Sequence, residues 1–346
     1  MKTICMGVIG CGSIANTYHL PAMERVETIR LKWACDLIES RAAEAKERFG
    51  FQQTTLDYHD LLGDPEVEAV CIFTKIEMHA KIAIEAARAG KNIFMQKPFA
   101  YSIEEGRTII RAVEENGVKL IPSFMHSYMD GSLAAKALIE GGTIGDIVHI
   151  RMRNSTRNPP ETAPSYGGCM MDIGCHGIDL VRTLSGEQIT EVFAGRVTPP
   201  TPNPESMYGE AADLNGIENS AILHYTLSNG ASVCHEVLWS QIAATVRFEM
   251  EIYGTKGVVY LYNPHRSEKV YLGVGPEGKQ PKDLQWREEA FEPTFFGERQ
   301  HRDMAAGLMG DGVCAKGPRD GFVPLQVIEA MRRSIVSRKS EKVLGV

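Results

Sequence analysis

The first 120 residues alternate between two hydrophobic periods, and few architectures accept that pattern. Strand-like runs at 3–10, 29–36, 67–74, 91–98 and 117–124 are rich in Ile and Val and are bounded by Gly, Pro or Asp. A helix-period segment fills each gap, at 13–25, 39–49, 79–89 and 102–116. The last opens with Ser102 followed by Glu105, a capping-box pair, and stops at Asn116-Gly117. Strands that alternate with helices of this length are joined by right-handed crossovers. The pattern therefore predicts a parallel, doubly wound α/β sheet.

Beyond about residue 122 the rhythm changes. A helix at 131–141 leads to a strand at 147–155, a Pro- and Gly-rich loop at 158–168 and a helical run from 169 to 184. Strands then follow in succession, ITEVFAGRV, NSAILHYTL, SVCHEVLWS, RFEMEIYG and GVVYLY, with the hairpin signal Asn229-Gly230 between two of them. Strands without intervening helices predict an open, mainly antiparallel sheet, so the second half reads as α+β. TPPTPNPES at 198–206 reads as a flexible loop. The 346 residues suit two domains at about 150 residues each. The expected division is 1–122 for the doubly wound domain and 123–346 for the α+β domain, with the C-terminal helix at 322–337 able to pack back on the first domain.

Charge narrows the partner. The chain carries 37 Lys and Arg against 44 Asp and Glu, a net charge of −7. That balance offers no broad basic surface for nucleic acid phosphates or an anionic membrane, which leaves a small molecule as the expected partner. No run approaches the roughly 18 consecutive apolar residues of a membrane span. The eight cysteines include no C-x-x-C pair, so a reducing, cytoplasmic setting is expected rather than a disulfide framework.

Gly7-Val8-Ile9-Gly10-Cys11-Gly12-Ser13-Ile14-Ala15 ends the first strand and opens the first helix, the context a dinucleotide fingerprint requires. Gly10 permits the tight turn and Gly12 lets the backbone approach a pyrophosphate. Ser13 and Ile14 begin the helix whose free N–H groups and dipole favour phosphate. The bare motif equally fits a strand-to-helix turn with no ligand. Asp36 discriminates: it ends the second strand, about 20 residues on, where a carboxylate takes the adenosine ribose hydroxyls. Because that carboxylate would repel a 2′-phosphate, NAD is the expected cofactor.

Lys97 lies at the carboxyl end of the fourth strand-like run, where ligands of such sheets bind, and is followed by Pro98. A solvated lysine before a turn is the plainer reading. Asp172 and His176 stand at i and i+4, so on a helix they share one face, as an orienter and a general base would. A buried histidine capped by an acid reads the same way. A metal site from Cys169, Asp172, His176 and Asp179 lacks the His- or Cys-rich spacing such sites show, and no metal is expected.

The glycine turn, Asp36, the segment IFTKIEMHAKIAIEAARAGKNIFMQKP and the later D-I-G-C-H together resemble the Gfo/Idh/MocA oxidoreductases, over nearly the whole chain. The resemblance implies a Rossmann domain followed by an α/β domain, whose open sheet serves oligomer contacts in a homodimer or homotetramer. It implies that Lys97 binds and polarises a reacting hydroxyl and that His176, oriented by Asp172, is the acid/base. Thr74 and His79 match the segment lining the nicotinamide, and Gln96 stands where the family usually has Glu; its amide can still bond a ribose hydroxyl. Lys75 replaces a common Pro, and Ser123-Phe124-Met125-His126 lacks an Arg pair of many relatives, leaving His126 as a candidate substrate contact. The activity implied is NAD-dependent oxidation of a secondary alcohol of a sugar, inositol or other polyol. Redox-assisted glycoside elimination with retained NAD, or a non-catalytic NAD sensor, fits the same resemblance.

Overall fold

The computed structural model describes residues 2–156, 167–198, 218–239, 248–263, 268–275, 284–311 and 316–345. The loops expected at 158–168 and 198–206 lie almost wholly outside them. The chain divides into two compact units: Met1–Tyr128 with Thr294–Phe322, and Met129–Pro293 with Val323–Val346. The division thus falls beyond residue 122, and a late segment counts with the first unit.

The first unit is a six-stranded sheet of β1 (Ile4–Ile9), β2 (Ile29–Cys35), β3 (Gln53–Thr55), β4 (Ala69–Ile72), β5 (Asn92–Gln96) and β6 (Leu120–Ser123). The order is β3-β2-β1-β4-β5-β6 and every described pairing is parallel. β1 and β4 are buried at every position, as strands covered on both faces must be. Between β1 and β4 the chain reverses its direction of travel across the sheet, which opens a crevice at the carboxyl ends of the strands. The helix Ile103–Glu115 begins as its sequence suggests: Ser102 Oγ accepts the Glu105 N–H at 3.2 Å, while the Glu105 carboxylate takes the Tyr101 N–H at 2.9 Å. The helix Glu298–Met309 was not evident from periodicity. It places Met304, Ala305 and Leu308 in one buried cluster with Ile4, Val8 and Phe94.

In the second unit nine strands form one sheet: β7 (Ile147–Ser155), β8 (Ile189–Thr198), β9 (Ser220–Leu227), β10 (Ser232–Leu238), β11 (Phe248–Gly254), β12 (Gly257–Asn263), β13 (Lys269–Val274), β14 (Gln285–Glu289) and β15 (Glu341–Lys342). Their order is β14-β13-β12-β11-β7-β10-β9-β8-β15. Among the described residues the β7–β10 pair is parallel and the remaining pairs are antiparallel, so the sheet is mainly antiparallel, as expected. β9 alternates strictly between buried and exposed positions, the mark of a sheet with one covered face. The covering helix Cys175–Ser185 lies very close to the sheet at Gly177, where a Cβ would come within 2.5 Å of the Asn154 side chain and 2.7 Å of the His235 ring. Any larger residue there would lift the helix. Beneath it, Tyr225, His235 and Asn154 form a buried run, with His235 Nδ1 at 2.9 Å from the tyrosine hydroxyl and Nε2 at 2.9 Å from Asn154 Oδ1.

Candidate active site

In the first unit, the residues singled out above gather at the carboxyl ends of the strands. Gly10 follows β1 with φ 96°, and a Cβ there would sit 2.7 Å from the Phe73 carbonyl oxygen, so only glycine fits. A Cβ on Gly12 would meet nothing within 4 Å, which leaves open space in front of the turn. Asn16 donates its amide to the Cys11 and Gly12 carbonyls, at 2.6 and 3.0 Å, and so satisfies acceptors on the turn. Ser13 is exposed at the helix entrance and Ile14 packs on the core.

Asp36, just past β2, is held on both oxygens: Oδ2 accepts the Cys11 N–H at 2.8 Å and Oδ1 the Ile38 N–H at 2.9 Å. Each oxygen keeps a further lone pair for a hydroxyl. The carboxylate is thus fixed against the glycine turn itself. An open glycine turn, a helix N-terminus and a placed carboxylate are what a dinucleotide's pyrophosphate and ribose need, and these residues fit NAD.

Thr74 follows β4, half-buried, with its hydroxyl donated to the Lys75 carbonyl at 3.2 Å. His126 sits in the short turn Met125–Tyr128 after β6 and is half-buried. Two expected cofactor contacts are directed into the fold. His79 is 1% exposed, and its ring lies between two main-chain oxygens, Pro98 at 2.8 Å from Nδ1 and Thr74 at 3.1 Å from Nε2. It ties the Thr74 loop to the Lys97-Pro98 segment, and burial holds its pKa below the usual histidine range. Gln96, 5% exposed, accepts the Lys97 N–H on Oε1 at 2.7 Å, and its Nε2 lies 2.8 Å from His19 Nε2. Lys97 itself is half-buried after β5, and its peptide bond to Pro98 is cis.

In the second unit, Asp172 lies in a π-helical turn, Met170–Gly174, that runs straight into the helix bearing His176. Both side chains are buried, at 6% and 5% exposure. The Trp239 indole N–H donates to Asp172 Oδ2 at 3.0 Å, which fixes the carboxylate. Glu218 secures the start of the turn: its carbonyl accepts the Cys169 N–H at 2.9 Å and its Oε1 the Met170 N–H at 2.8 Å. Burial pushes the Glu218 carboxyl up to about 7. Burial also raises the Cys169 thiol well above its usual range, and a thiol kept protonated is a poor metal ligand. Among the described residues no group of three or more His, Cys, Asp or Glu side chains is placed to hold a metal ion. No described helix is long and apolar enough to cross a membrane.

Trp239 and Glu218 escaped the sequence reading. Asp172 and Trp239 are 67 positions apart, and the only local sign was a tryptophan closing an alternating strand. A direct check on Trp239 is its replacement by Phe, which removes the indole donor from a buried carboxylate. Loss of a bond to a charged group costs about 1.5–3 kcal/mol, so urea unfolding is expected to report a destabilisation of that order.

Comparison with known proteins gives a consistent picture. Residues 4–124 match the family model described as an oxidoreductase family with an NAD-binding Rossmann fold, and residues 132–260 match the Gfo/Idh/MocA C-terminal domain. Myo-inositol 2-dehydrogenase of Thermotoga maritima is 27% identical, over 98% of this chain and 99% of its own. The scyllo-inositol 2-dehydrogenase (NAD(+)) of Bacillus subtilis is 28% identical over 85% of this chain and 83% of its own. Among solved structures, a levoglucosan dehydrogenase in complex with NADH superposes with a TM-score of 0.87 at 24% identity, covering 100% of both chains. That last likeness speaks to fold.

Proposed function

Since the chain belongs to the Gfo/Idh/MocA oxidoreductases and carries their NAD-binding Rossmann domain, we propose that it oxidises a secondary alcohol of a sugar, inositol or related polyol with NAD. The observation that carries the reading is the gathering of Gly10, Asp36, Thr74 and Lys97 at the carboxyl ends of β1, β2, β4 and β5, on both sides of the point where the chain reverses across the sheet. Inositol dehydrogenases among the relatives support the substrate class.

In this reading Lys97 donates a hydrogen bond to the reacting hydroxyl and stabilises the oxygen as negative charge grows on it. His176 accepts the hydroxyl proton, and Asp172, held by Trp239, orients the imidazole and stabilises its charged form. The alcohol loses one proton and one hydride and becomes a ketone. NAD, when bound, supplies the acceptor for that hydride. The glycine turn and the Asp36 carboxylate hold the pyrophosphate and adenosine ribose, and the charge on Asp36 favours NAD over NADP.

The test is a panel of inositols, aldoses, anhydrosugars and glycosides incubated with NAD or NADP and followed at the absorbance of the reduced cofactor. At least one polyol is expected to reduce NAD stoichiometrically and faster than NADP. Cleavage of a glycoside without net reduced cofactor would replace the reading with elimination chemistry. By the same resemblance the protein is expected to form a homodimer or homotetramer, which sedimentation velocity reads directly.

A further inference from the structure

We propose that Gln96, His19 and His301 form a hydrogen-bond chain of fixed direction that positions the Lys97 peptide. This rests, for its catalytic consequence only, on Lys97 acting as proposed above. The chain runs from the Lys97 N–H to Gln96 Oε1 at 2.7 Å, from Gln96 Nε2 to His19 Nε2 at 2.8 Å, from His19 Nδ1 to His301 Nε2 at 2.9 Å, and from His301 Nδ1 to the Gly297 carbonyl at 2.7 Å. It therefore anchors the residue after β5 to the start of the helix Glu298–Met309.

The two ends dictate every proton between them. A main-chain N–H only donates, so the amide oxygen of Gln96 must face Lys97 and its NH2 group must face His19. His19 Nε2 then accepts, and the neutral ring carries its proton on Nδ1. From the other end, the Gly297 carbonyl only accepts, so His301 carries its proton on Nδ1 and accepts on Nε2. Both derivations meet at the same His19–His301 bond with the same direction. Each ring gives one hydrogen bond and takes one, and the chain is satisfied without any net charge.

The surroundings enforce that neutrality. His19 and His301 are both 0% exposed. The His19 ring stacks on Phe73 at 3.9 Å between centroids, with Phe94 edge-on at 5.6 Å, and Phe94 also meets His301 at 5.5 Å. Tyr18 packs against both rings, and its hydroxyl is donated to Gln300 at 2.7 Å. Burial and their mutual proximity hold His19 well below the usual histidine range, and burial takes His301 down to about 4. A carboxylate at position 96 would have no proton to offer His19. The chain would have to reverse, which sets a bare His301 nitrogen against the Gly297 oxygen unless one ring takes up an extra proton.

The test uses the full chain labelled with ¹⁵N-histidine, with long-range ¹H–¹⁵N spectra assigned by single His→Gln variants. At pH 7 both His19 and His301 are expected as neutral rings protonated on Nδ1. In Gln96→Glu, one of the two is expected as imidazolium at the same pH. An Nε2–H form or a charged ring in the parent protein would overturn the proposal, as would a Gln96→Glu spectrum identical to the parent's. Positioning is read separately: His301→Leu is expected to lower kcat about 10-fold or more with the NAD dissociation constant little changed, and His301→Gln, which accepts and donates in the same sense, to recover most of that loss. A kcat untouched by His301→Leu would overturn the positioning role. If Lys97→Met proves fully active while the tautomers are as described, the catalytic reading of Lys97 fails and the hydrogen-bond chain stands.

Discussion

Lys97→Met is expected to lower kcat by about two to four orders of magnitude, the usual scale for loss of a positioned acid, base or charge, with NAD affinity changed only a few-fold. Methionine keeps most of the length and the apolar stem of lysine, so the β5 terminus and its cis peptide to Pro98 have no steric reason to move. What disappears is the ammonium proposed to steady the substrate oxygen. His176→Gln is expected to fall within the same range, since an amide in a 5%-exposed site can accept a hydrogen bond but cannot take up a proton. Lys97→Arg is a poor substitute in this view: a planar guanidinium holds an oxygen in a different geometry from a compact ammonium. Steady-state kinetics on the substrate found in the panel checks all three. Turnover near that of the parent in both Lys97→Met and His176→Gln would remove the assignment, and loss in only one would leave the other role to a different residue.

The second large effect is on stability in acid. His19, His79, His235 and His301 are buried and held below the usual histidine range, His301 at about 4 and His235 at about 3. Between pH 6.5 and those values the unfolded chain binds protons that the folded one refuses, so stability is complete above about 6.5 and is lost as the pH falls. Two carboxyls act in the opposite sense. Glu218 and Glu268, pushed up to about 7 by burial, keep a proton in the folded state that the unfolded chain releases, a contribution present below about 4.5 and lost as the pH rises through 7. The strongly shifted His19, His235 and His301 alone refuse more protons than the two carboxyls retain, and His79 adds in the same direction. Stability is therefore expected to be greatest near pH 6.5 and to decline below it. Below about pH 4.5 the decline steepens, because the unfolded carboxylates then bind protons too and the offset stops growing. Each uncompensated proton is worth about 1.4 kcal/mol per pH unit, so a fall of several kcal/mol by pH 4 lies within reach of a typical folding stability of about 5–15 kcal/mol. Urea unfolding as a function of pH checks the shape, and a profile flat from pH 6.5 to 4 would contradict it.

How much of this was legible in the sequence depends on the range of the interactions. The parallel sheet was, because burial on both faces writes itself as continuous apolar runs in β1 and β4. The glycine turn was, because a φ of 96° at Gly10 admits one residue type. Strand lengths were less so: the run at 67–74 contracts to Ala69–Ile72, and the exposed, polar Gln53–Thr55 strand left no hydrophobic trace at all. Asp36 could be placed near the turn from its spacing. That it takes the Cys11 N–H could not, since such a bond depends on the register of two strands. Gln96 reads as a departure from a family pattern until its partners are known. Those partners, His19 and His301, lie 282 positions apart, and nothing local marks either as half of a pair.

The late segment Thr294–Phe322 also bears on how this protein is made. A ribosome releases residues 1–128 long before Met304, Ala305 and Leu308, yet those three share the buried cluster of β1 and β5. The nascent nucleotide-binding half must wait, with the hollow for a helix still uncovered, through synthesis of eight of the nine strands of the second sheet. Its two parts join only once Thr294–Phe322 has been made, and a fragment stopped at Tyr128 would lack the side chains of Met304, Ala305 and Leu308 that fill that hollow.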